Sequence, residues 1–216
     1  GPTREYLDPV RFISNPSTGR MGYALAEAAA RAGHRVTLVS GPVTLAPPPR
    51  VKVVKVESAR EMHAAIHSVF PQCDAVVMTA AVGDYQAARP RAHKLHKTGA
   101  TLTLRLVRTP DILASLPRRR RQIVIGFAAE THAMCASAAR KLAGKNLDMI
   151  VANDVSAADA GFGAAALRAV MIWRDGRRRD LGRCSKRSLA QQLVRETEQL
   201  YMVKNPPGAR DAAQES

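Results

Sequence analysis

The amino-acid sequence predicts an α/β fold: a Rossmann-like, mostly parallel sheet with helices on both faces. Short apolar runs typical of strands alternate with helical segments along much of the chain. A glycine-rich loop, residues 14–22, leads directly into the first of these helices. Alternating units of this kind place parallel strands side by side and cover the sheet with helices. The 216 residues are enough for one such core.

The first half of the chain contains two predicted helices and three predicted strands. Residues 21–32 are rich in Ala, Leu and Glu and end at Gly33, which indicates a helix with a glycine C-cap. Ser58 is placed to cap a second helix that reaches about Phe70. The strands are predicted at 34–40, 51–56 and 74–79.

The second half begins with an irregular stretch, residues 80–100, and then repeats the alternation. Strands are predicted at 123–127 and 149–152 around a helix at 132–143. Between these parts, residues 101–108 alternate Leu with Thr and Arg, which is typical of a half-exposed strand in an antiparallel arm or an interface.

The C-terminal part is predicted to form a hairpin and a helix. Residues 169–173 followed by Asp175-Gly176 indicate a hairpin with a two-residue turn. Ser185 is placed to cap a final helix that ends near Tyr201. We assign residues 1–204 to a single domain and expect 205–216, with two prolines and polar residues, to be a disordered tail.

No strand pattern precedes the glycine-rich loop. In doubly wound folds a first strand delivers the chain into this loop. We therefore expect the first strand to be missing from this sequence, and the domain to be an N-terminally truncated part of a longer polypeptide.

The formal charge of +15 raises the possibility of a nucleic-acid-binding module. The main arginine runs, residues 118–121 and 177–179, fall on a predicted loop and a predicted hairpin, and aromatic residues for base stacking are only 4% of the chain. Solvated surface arginines, or anionic small substrates, explain the charge as well. We therefore expect no nucleic-acid partner, and a basic nucleic-acid-binding module remains the alternative function.

Other function classes receive little support from the sequence. The three cysteines form no C-x-x-C pair, and His63 and His67 share a helical face without a third metal ligand at recognisable spacing. No apolar stretch approaches the roughly 20 residues that span a bilayer, and the N-terminal residues show no signal pattern. We expect a cytoplasmic protein with no membrane partner and no protein-bound metal.

Several segments are suited to binding a nucleotide triphosphate, although each has a simpler explanation. The loop 14–22 precedes a helix N-terminus, where backbone N–H groups favour anions, but it is equally compatible with an ordinary capped helix. Asp84 follows a strand, where ligands often bind in α/β sheets, but it could be an ordinary turn residue. Lys94 lies in a loop that could simply be a basic surface loop. Lys141 and Lys145 share a helix face near its C-terminus, where cations are favoured for structural reasons.

Taken together and in this order, these segments resemble the bacterial, CTP-using type of phosphopantothenoylcysteine synthetase. The matching stretches lie at 1–5, 8–15, 17–22, 80–85, 94–97, 110–112, 126–131, 145–148 and 152–155. The resemblance implies a two-step ligation in coenzyme A biosynthesis. The carboxylate of 4'-phosphopantothenate attacks the α-phosphate of CTP, and the amine of L-cysteine then displaces CMP from the acyl-cytidylate.

The resemblance also implies site residues and partners. Lys94 corresponds to an essential loop lysine for acyl-cytidylate formation, and Asn15, Arg11 and Ala81 to positions that handle this intermediate. The implied nucleotide contacts are Ser17, Gly19, Ala80, Asp84, Lys94, Lys97, Pro110, Asp111, Ile112, Leu113, Phe127, Lys141 and Lys145. Mg²⁺ would bridge the phosphates, the enzyme would be a homodimer, and FMN would belong to a decarboxylase domain that precedes this one in many bacteria.

One departure from the family pattern concerns the lysine loop. The family's K-x-K-K is Lys94-Leu95-His96-Lys97 here, so a group that is mostly neutral at pH 7 replaces a permanent cation. We expect weaker triphosphate binding at high pH. An inactive fragment that keeps only the fold is a further alternative, because the expected first strand is missing.

Overall fold

The computed structural model describes residues 1–97, 99–130, 134–154 and 166–206. In chain order the elements are β1 (Arg4–Tyr6), β2 (Phe12–Ser14), α1 (Arg20–Arg31), β3 (Val36–Ser40), β4 (Val51–Lys55), α2 (Ala59–Val69), β5 (Ala75–Met78), β6 (Tyr85–Ala87), β7 (Leu106–Arg108), β8 (Ile123–Glu130), α3 (Met134–Gly144), β9 (Met149–Asp154), β10 (Ala166–Trp173), β11 (Arg178–Ser185) and α4 (Lys186–Lys204).

The central sheet has five strands in the order β11-β10-β9-β8-β5. Strands β5, β8 and β9 run parallel, whereas β10 and β11 form an antiparallel hairpin at one edge. Strands β3 and β4 form a separate parallel pair. The predicted α/β architecture, a mostly parallel sheet with an antiparallel hairpin, is therefore confirmed.

Successive side chains of β8 point alternately into two layers of the core. Val124 lies with Met62, Phe70 and Leu142 in a cluster that α2 and α3 cover. Ile123 and Ile125 face the opposite layer, where residues of α1 and α4 pack. Successive strand side chains point to opposite faces, so one short strand supplies both layers. The prediction of helices on both faces is confirmed.

Three predicted helix ends are confirmed by their hydrogen bonds or backbone angles. Ser58 Oγ accepts from the Glu61 backbone N at 3.2 Å. Ser185 Oγ likewise accepts from the Ser188 N at 3.1 Å. Gly33, two residues after the end of α1, has φ 92°, a left-handed conformation that glycine adopts without steric cost.

The structure corrects two of the predicted strand and turn assignments. The predicted strand at 101–108 is much shorter: the strand comprises only Leu106–Arg108, which pairs with β6. The β10–β11 loop has three residues rather than two, since the Trp173 N donates to the Arg177 O at 3.0 Å. Gly176 takes the left-handed position in this loop, with φ 89°.

The sequence also gave no indication of the antiparallel pair β1–β2, which precedes the glycine-rich loop. That a first strand is missing from this sequence stays a prediction, and so does the disordered tail, of which residues 207–216 lie outside the described part. In the structure, the chain at Pro2 runs parallel beside Ala81.

Within the described ranges, no helix is long and apolar enough to cross a membrane.

Candidate active site

The carboxyl end of β5 is joined to the glycine-rich loop through Asn15. The Asn15 side-chain amide donates to the Ala81 O at 3.1 Å and to the Val82 O at 3.2 Å. Thr3, which is fully buried, accepts a hydrogen bond from the Gly83 N at 2.9 Å. The structure therefore brings together two residues predicted from the sequence, Asn15 and Ala81.

The N-terminus of α1 lies at the end of the same loop. Gly19 occupies the N-cap position with φ 75°, and its N donates to Ser17 Oγ at 3.4 Å. A Cβ at Gly22 would approach Thr79 Oγ1 to 2.7 Å, so glycine is what allows α1 to pack this closely on the end of β5. The predicted phosphate contacts Ser17 and Gly19 thus lie where backbone N–H groups favour an anion.

The basic loop is held at Leu95 by the turn between β1 and β2. The Leu95 N donates to Asp8 Oδ2 at 2.9 Å, and Arg11 Nη1 donates to the Leu95 O at 2.9 Å. Arg11 also forms an ion pair with Asp8 at 2.5 Å. The exposed side chains of Lys94 and Lys97 therefore extend from a loop that is anchored between them.

Asp8 is charged despite being enclosed. Its side chain has no exposed surface. The backbone N–H of Leu95 lowers the pKa of this carboxyl most; burial opposes this, and the Val10 and Arg11 N–H groups and the Arg11 guanidinium lower the pKa further. The net pKa lies far below the ordinary value, so the carboxylate stays ionised.

A second group of predicted residues is linked through the segment that follows β7. The Thr109 N donates to the Asp84 O at 3.0 Å, which brings Asp84 next to Pro110. Asp111 Oδ2 pairs with Lys145 Nζ at 3.0 Å. The predicted helix start at 110–113 is a single turn, closed by the Ser115 N donating to the Asp111 O at 3.1 Å.

The neighbouring side chains anchor this turn. Ile112 is 3% exposed and lies in the α2–α3 layer, against which Leu113 and Ala80 also pack. A small cavity borders this turn, and Leu113 and Asn146 are among the residues that line it.

Lys141 and Phe127, both predicted nucleotide contacts, lie in different parts of the structure. Lys141 Nζ pairs with Glu130 Oε1 at 2.7 Å, and Ser137 Oγ donates to the same oxygen at 2.9 Å. Burial would raise the pKa of Glu130, but these hydrogen bonds outweigh it and lower the pKa. Phe127 packs in the α1–α4 layer, on the other face of β8. Strand alternation therefore separates Phe127 from Lys141 of α3.

The residues that sequence reasoning missed are the supporting ones. Thr3, Asp8 and Glu130 each hold a predicted residue or its neighbour, through the contacts given above. An Asp-Pro pair is typical of a turn in which the Asp side chain accepts backbone N–H bonds, so the turn at Asp8 was detectable. Its partner at Leu95, 87 residues away, was not.

Comparison with known proteins identifies related sequences over nearly the whole chain. Residues 1–201 match the family model described as DNA/pantothenate metabolism flavoprotein C-terminal domain. The coenzyme A biosynthesis bifunctional protein CoaBC of Bacillus subtilis (strain 168) is 48% identical over 198 residues, covering 91% of this chain and 49% of that protein. CoaBC of Escherichia coli (strain K12) is 48% identical over 181 residues, covering 82% and 45%. The chain thus spans about half the length of the curated relatives it matches.

Solved structures show the same fold. The crystal structure of the C-terminal domain of CoaBC is 40% identical with a TM-score of 0.78, covering 93% of this chain and 91% of that one. The DNA/pantothenate metabolism flavoprotein from Streptococcus pneumoniae has a TM-score of 0.79 at 21% identity, covering 92% and 96%. At that identity the likeness concerns the fold alone.

Proposed function

This chain belongs to the family of DNA/pantothenate metabolism flavoprotein C-terminal domains, and we propose that it ligates 4'-phosphopantothenate and L-cysteine at the expense of CTP. The product would be 4'-phosphopantothenoylcysteine, with release of CMP and pyrophosphate. The names of the relatives, coenzyme A biosynthesis bifunctional proteins, support this reaction. In this chain, the proposed reaction is supported most directly by the two hydrogen bonds that the Asn15 amide donates to the carbonyls of Ala81 and Val82.

Asn15 is suited to holding an acyl-nucleotide. Both of its donated hydrogen bonds go to backbone carbonyls at the end of β5. The amide plane is thereby fixed, and Oδ1 is the atom left to accept a hydrogen bond from a bound group. Arg11, held by Asp8, supplies a permanent cation beside the basic loop. An amide and a guanidinium fixed in this way can orient an intermediate without reorganising.

Charge neutralisation is the main demand of the first step. An oxygen of the phosphopantothenate carboxylate forms a bond to the α-phosphorus of CTP, and the bond to pyrophosphate breaks. Positioning and electrostatic stabilisation dominate such phosphorus chemistry. Lys94, Lys97 and the N-terminus of α1 would supply positive charge to the phosphates. In the second step the cysteine amine attacks the acyl carbon, and CMP leaves.

Mg²⁺ fits this site as an ion that enters with the triphosphate. It binds mainly phosphate oxygens, water and one or two carboxylates. Asp84 offers an exposed carboxylate at the carboxyl edge of the sheet. When bound, the ion would neutralise phosphate charge. We propose that FMN would bind to a decarboxylase domain that precedes this one, rather than to residues of this chain.

Lys141 of α3 and Lys145, which directly follows α3, would bind the nucleotide by exchanging partners. Lys141 pairs with Glu130 and Lys145 with Asp111, at 2.7 and 3.0 Å. Both ammonium groups are about half or one third exposed, so these pairs are weak and a triphosphate can compete for them.

We also propose that the enzyme is a homodimer that pairs through the arm formed by β6, β7 and the residues before β7. The arm exposes large apolar side chains: Tyr85 48%, Leu102 62%, Leu104 39%, Leu106 39% and Val107 38%. Several large exposed apolar side chains in one segment are typical of an interaction site. Light scattering should give twice the chain mass, and Leu102→Glu should shift it toward the monomer.

The proposed activity is tested by nucleotide turnover. CTP should yield CMP and pyrophosphate only when 4'-phosphopantothenate is present, and Lys94→Ala should abolish this release. Lys52→Ala, which removes an exposed lysine on β4, is the matched control and should keep the activity. Release of CMP that does not depend on 4'-phosphopantothenate would contradict the proposed function.

A further inference from the structure

Asp8 connects the turn between β1 and β2 to the basic loop through a set of contacts that we call the Asp8 clasp. The clasp consists of Asp8, Arg11 and Leu95. Asp8 Oδ1 accepts from the N–H groups of Val10 and Arg11, both at 2.8 Å. Asp8 Oδ2 accepts from the Leu95 N at 2.9 Å and from Arg11 Nη1 at 2.5 Å.

The two carboxylate oxygens of Asp8 have different roles. Oδ1 closes the local turn, a pattern common for Asp in turns. Oδ2 makes the long-range contact and orients Arg11, whose Nη1 reaches on to the Leu95 O at 2.9 Å. Both the N–H and the C=O of Leu95 are therefore bound by the clasp. The start of the loop has a further tie, because the Arg91 N donates to the Leu7 O at 2.8 Å.

This arrangement restricts the peptide directly beside Lys94. The Lys94 side chain itself is exposed, so its direction depends on how firmly its backbone is held. Hydrogen bonds to a buried, ionised carboxylate are stronger than neutral ones. We propose that Asp8 is a positioning residue: it holds Arg11 and the Lys94–Leu95 peptide in place for acyl-cytidylate formation, an inference that rests on the proposed function.

Asp8→Asn separates the two roles of the carboxylate. The Asn oxygen can still accept the turn bonds from Val10 and Arg11, whereas its amide nitrogen faces the Leu95 N and the Arg11 guanidinium, which are both donors. Asp175→Asn is the matched control, because Asp175 also closes its own turn and pairs with the following arginine. Its contacts are to the Arg177 N at 3.0 Å and Nε at 2.6 Å, on the β10–β11 loop.

The loop itself can be observed without any catalytic assay. In Asp8→Asn, the Leu95 amide should exchange hydrogen faster, and trypsin should cleave after Lys94 more readily. Asp175→Asn should change neither. Leu95→Pro removes the amide donor and leaves the Asp8 turn intact, so it should open the loop even if Asp8→Asn unfolds. Because proline has no amide to exchange and trypsin does not cleave before proline, this variant is measured by exchange at the His96 amide and by cleavage after Lys97, which should both become faster. Unchanged exchange and cleavage in these variants would overturn the clasp.

Rapid-quench kinetics then test the positioning role. Asp8→Asn should slow acyl-cytidylate formation about ten- to hundredfold, the range set by losing a hydrogen bond to a charged group, and change the Kd for CTP less than about threefold. If Asp8 acts through Arg11 and Lys94, adding Asp8→Asn to the variant that carries both Arg11→Ala and Lys94→Ala should not slow its residual acyl-cytidylate formation further, measured over a long single turnover. Effects that multiply would show a merely structural role and overturn the proposal. A wild-type rate for Lys94→Ala would instead contradict the proposed function, and the exchange data would still decide whether the clasp holds the loop.

Discussion

Replacing Asn15 by Asp should disable the site while keeping the shape of the side chain. The substitution exchanges the donating amide nitrogen for an oxygen. That oxygen would face the Ala81 and Val82 carbonyls, which now accept hydrogen bonds at 3.1 and 3.2 Å. Each lost hydrogen bond costs about 1 kcal/mol net, so the native orientation becomes about 2 kcal/mol less favourable. This corresponds to a roughly 30-fold drop in kcat/KM, since about 1.4 kcal/mol is a factor of ten.

Asn205 offers an internal control with the same local chemistry. Its amide donates to the Arg121 O at 3.2 Å and to the Tyr201 O at 2.9 Å, at the end of α4. Asn205→Asp should lower the free energy of unfolding in urea by a similar amount and leave turnover within about twofold, because the two lost hydrogen bonds are again worth about 1 kcal/mol each. Pyrophosphate release measures turnover for both variants. A less than threefold loss in Asn15→Asp, or an equal loss in Asn205→Asp, would refute the role given to the Asn15 amide.

Three further predictions concern stability and loop charge. Burial and the neighbouring His63 lower the pKa of His67, so the folded state favours the neutral ring; the resulting stability is complete above about pH 6.5 and is lost as the pH falls. His67→Gln should therefore flatten the urea-unfolding profile between pH 7 and 5.5, and an unchanged profile would contradict this. Asp148→Ala leaves Arg118 and Lys204 without their carboxylate and should cost about 3–5 kcal/mol, or about 10 °C in Tm, whereas Asp180→Ala, whose pair with Arg168 is exposed, should have little effect. His96→Lys should tighten CTP binding several-fold by calorimetry at pH 8; equal affinity would show that residue 96 makes no phosphate contact.

Elements with long, regular patterns were predictable from the sequence. The helices at α2 and α4 follow from their apolar spacing and their serine caps, and β8 follows from its continuous apolar run. The pair β1–β2 was not predictable, because its strands have three residues each and tertiary contacts support them. The Arg4 N, for example, donates to the Glu57 O at 2.8 Å. The length of the β10–β11 loop was also open, since Asp-Gly occurs in both two- and three-residue turns.

The candidate site was predictable in its residues but not in its connections. Resemblance pointed to Asn15, Lys94 and Lys145, whereas local pattern alone left each with a structural explanation. The contacts that join them bridge distant parts of the chain, from Asn15 to Ala81 and from Asp111 to Lys145. No periodicity or spacing rule encodes such pairings. The supporting role of Asp8 emerges only when Leu95 is placed against it.

Oxygen-isotope transfer tests the central claim most directly. The protein would be given CTP, L-cysteine and 4'-phosphopantothenate labelled with ¹⁸O in its carboxylate, and the products analysed by mass spectrometry. Attack of the carboxylate on the α-phosphorus predicts one ¹⁸O in the phosphate of each CMP formed and none in pyrophosphate. Label in inorganic phosphate together with CDP, or CMP free of label, would contradict an acyl-cytidylate and with it the proposed ligation.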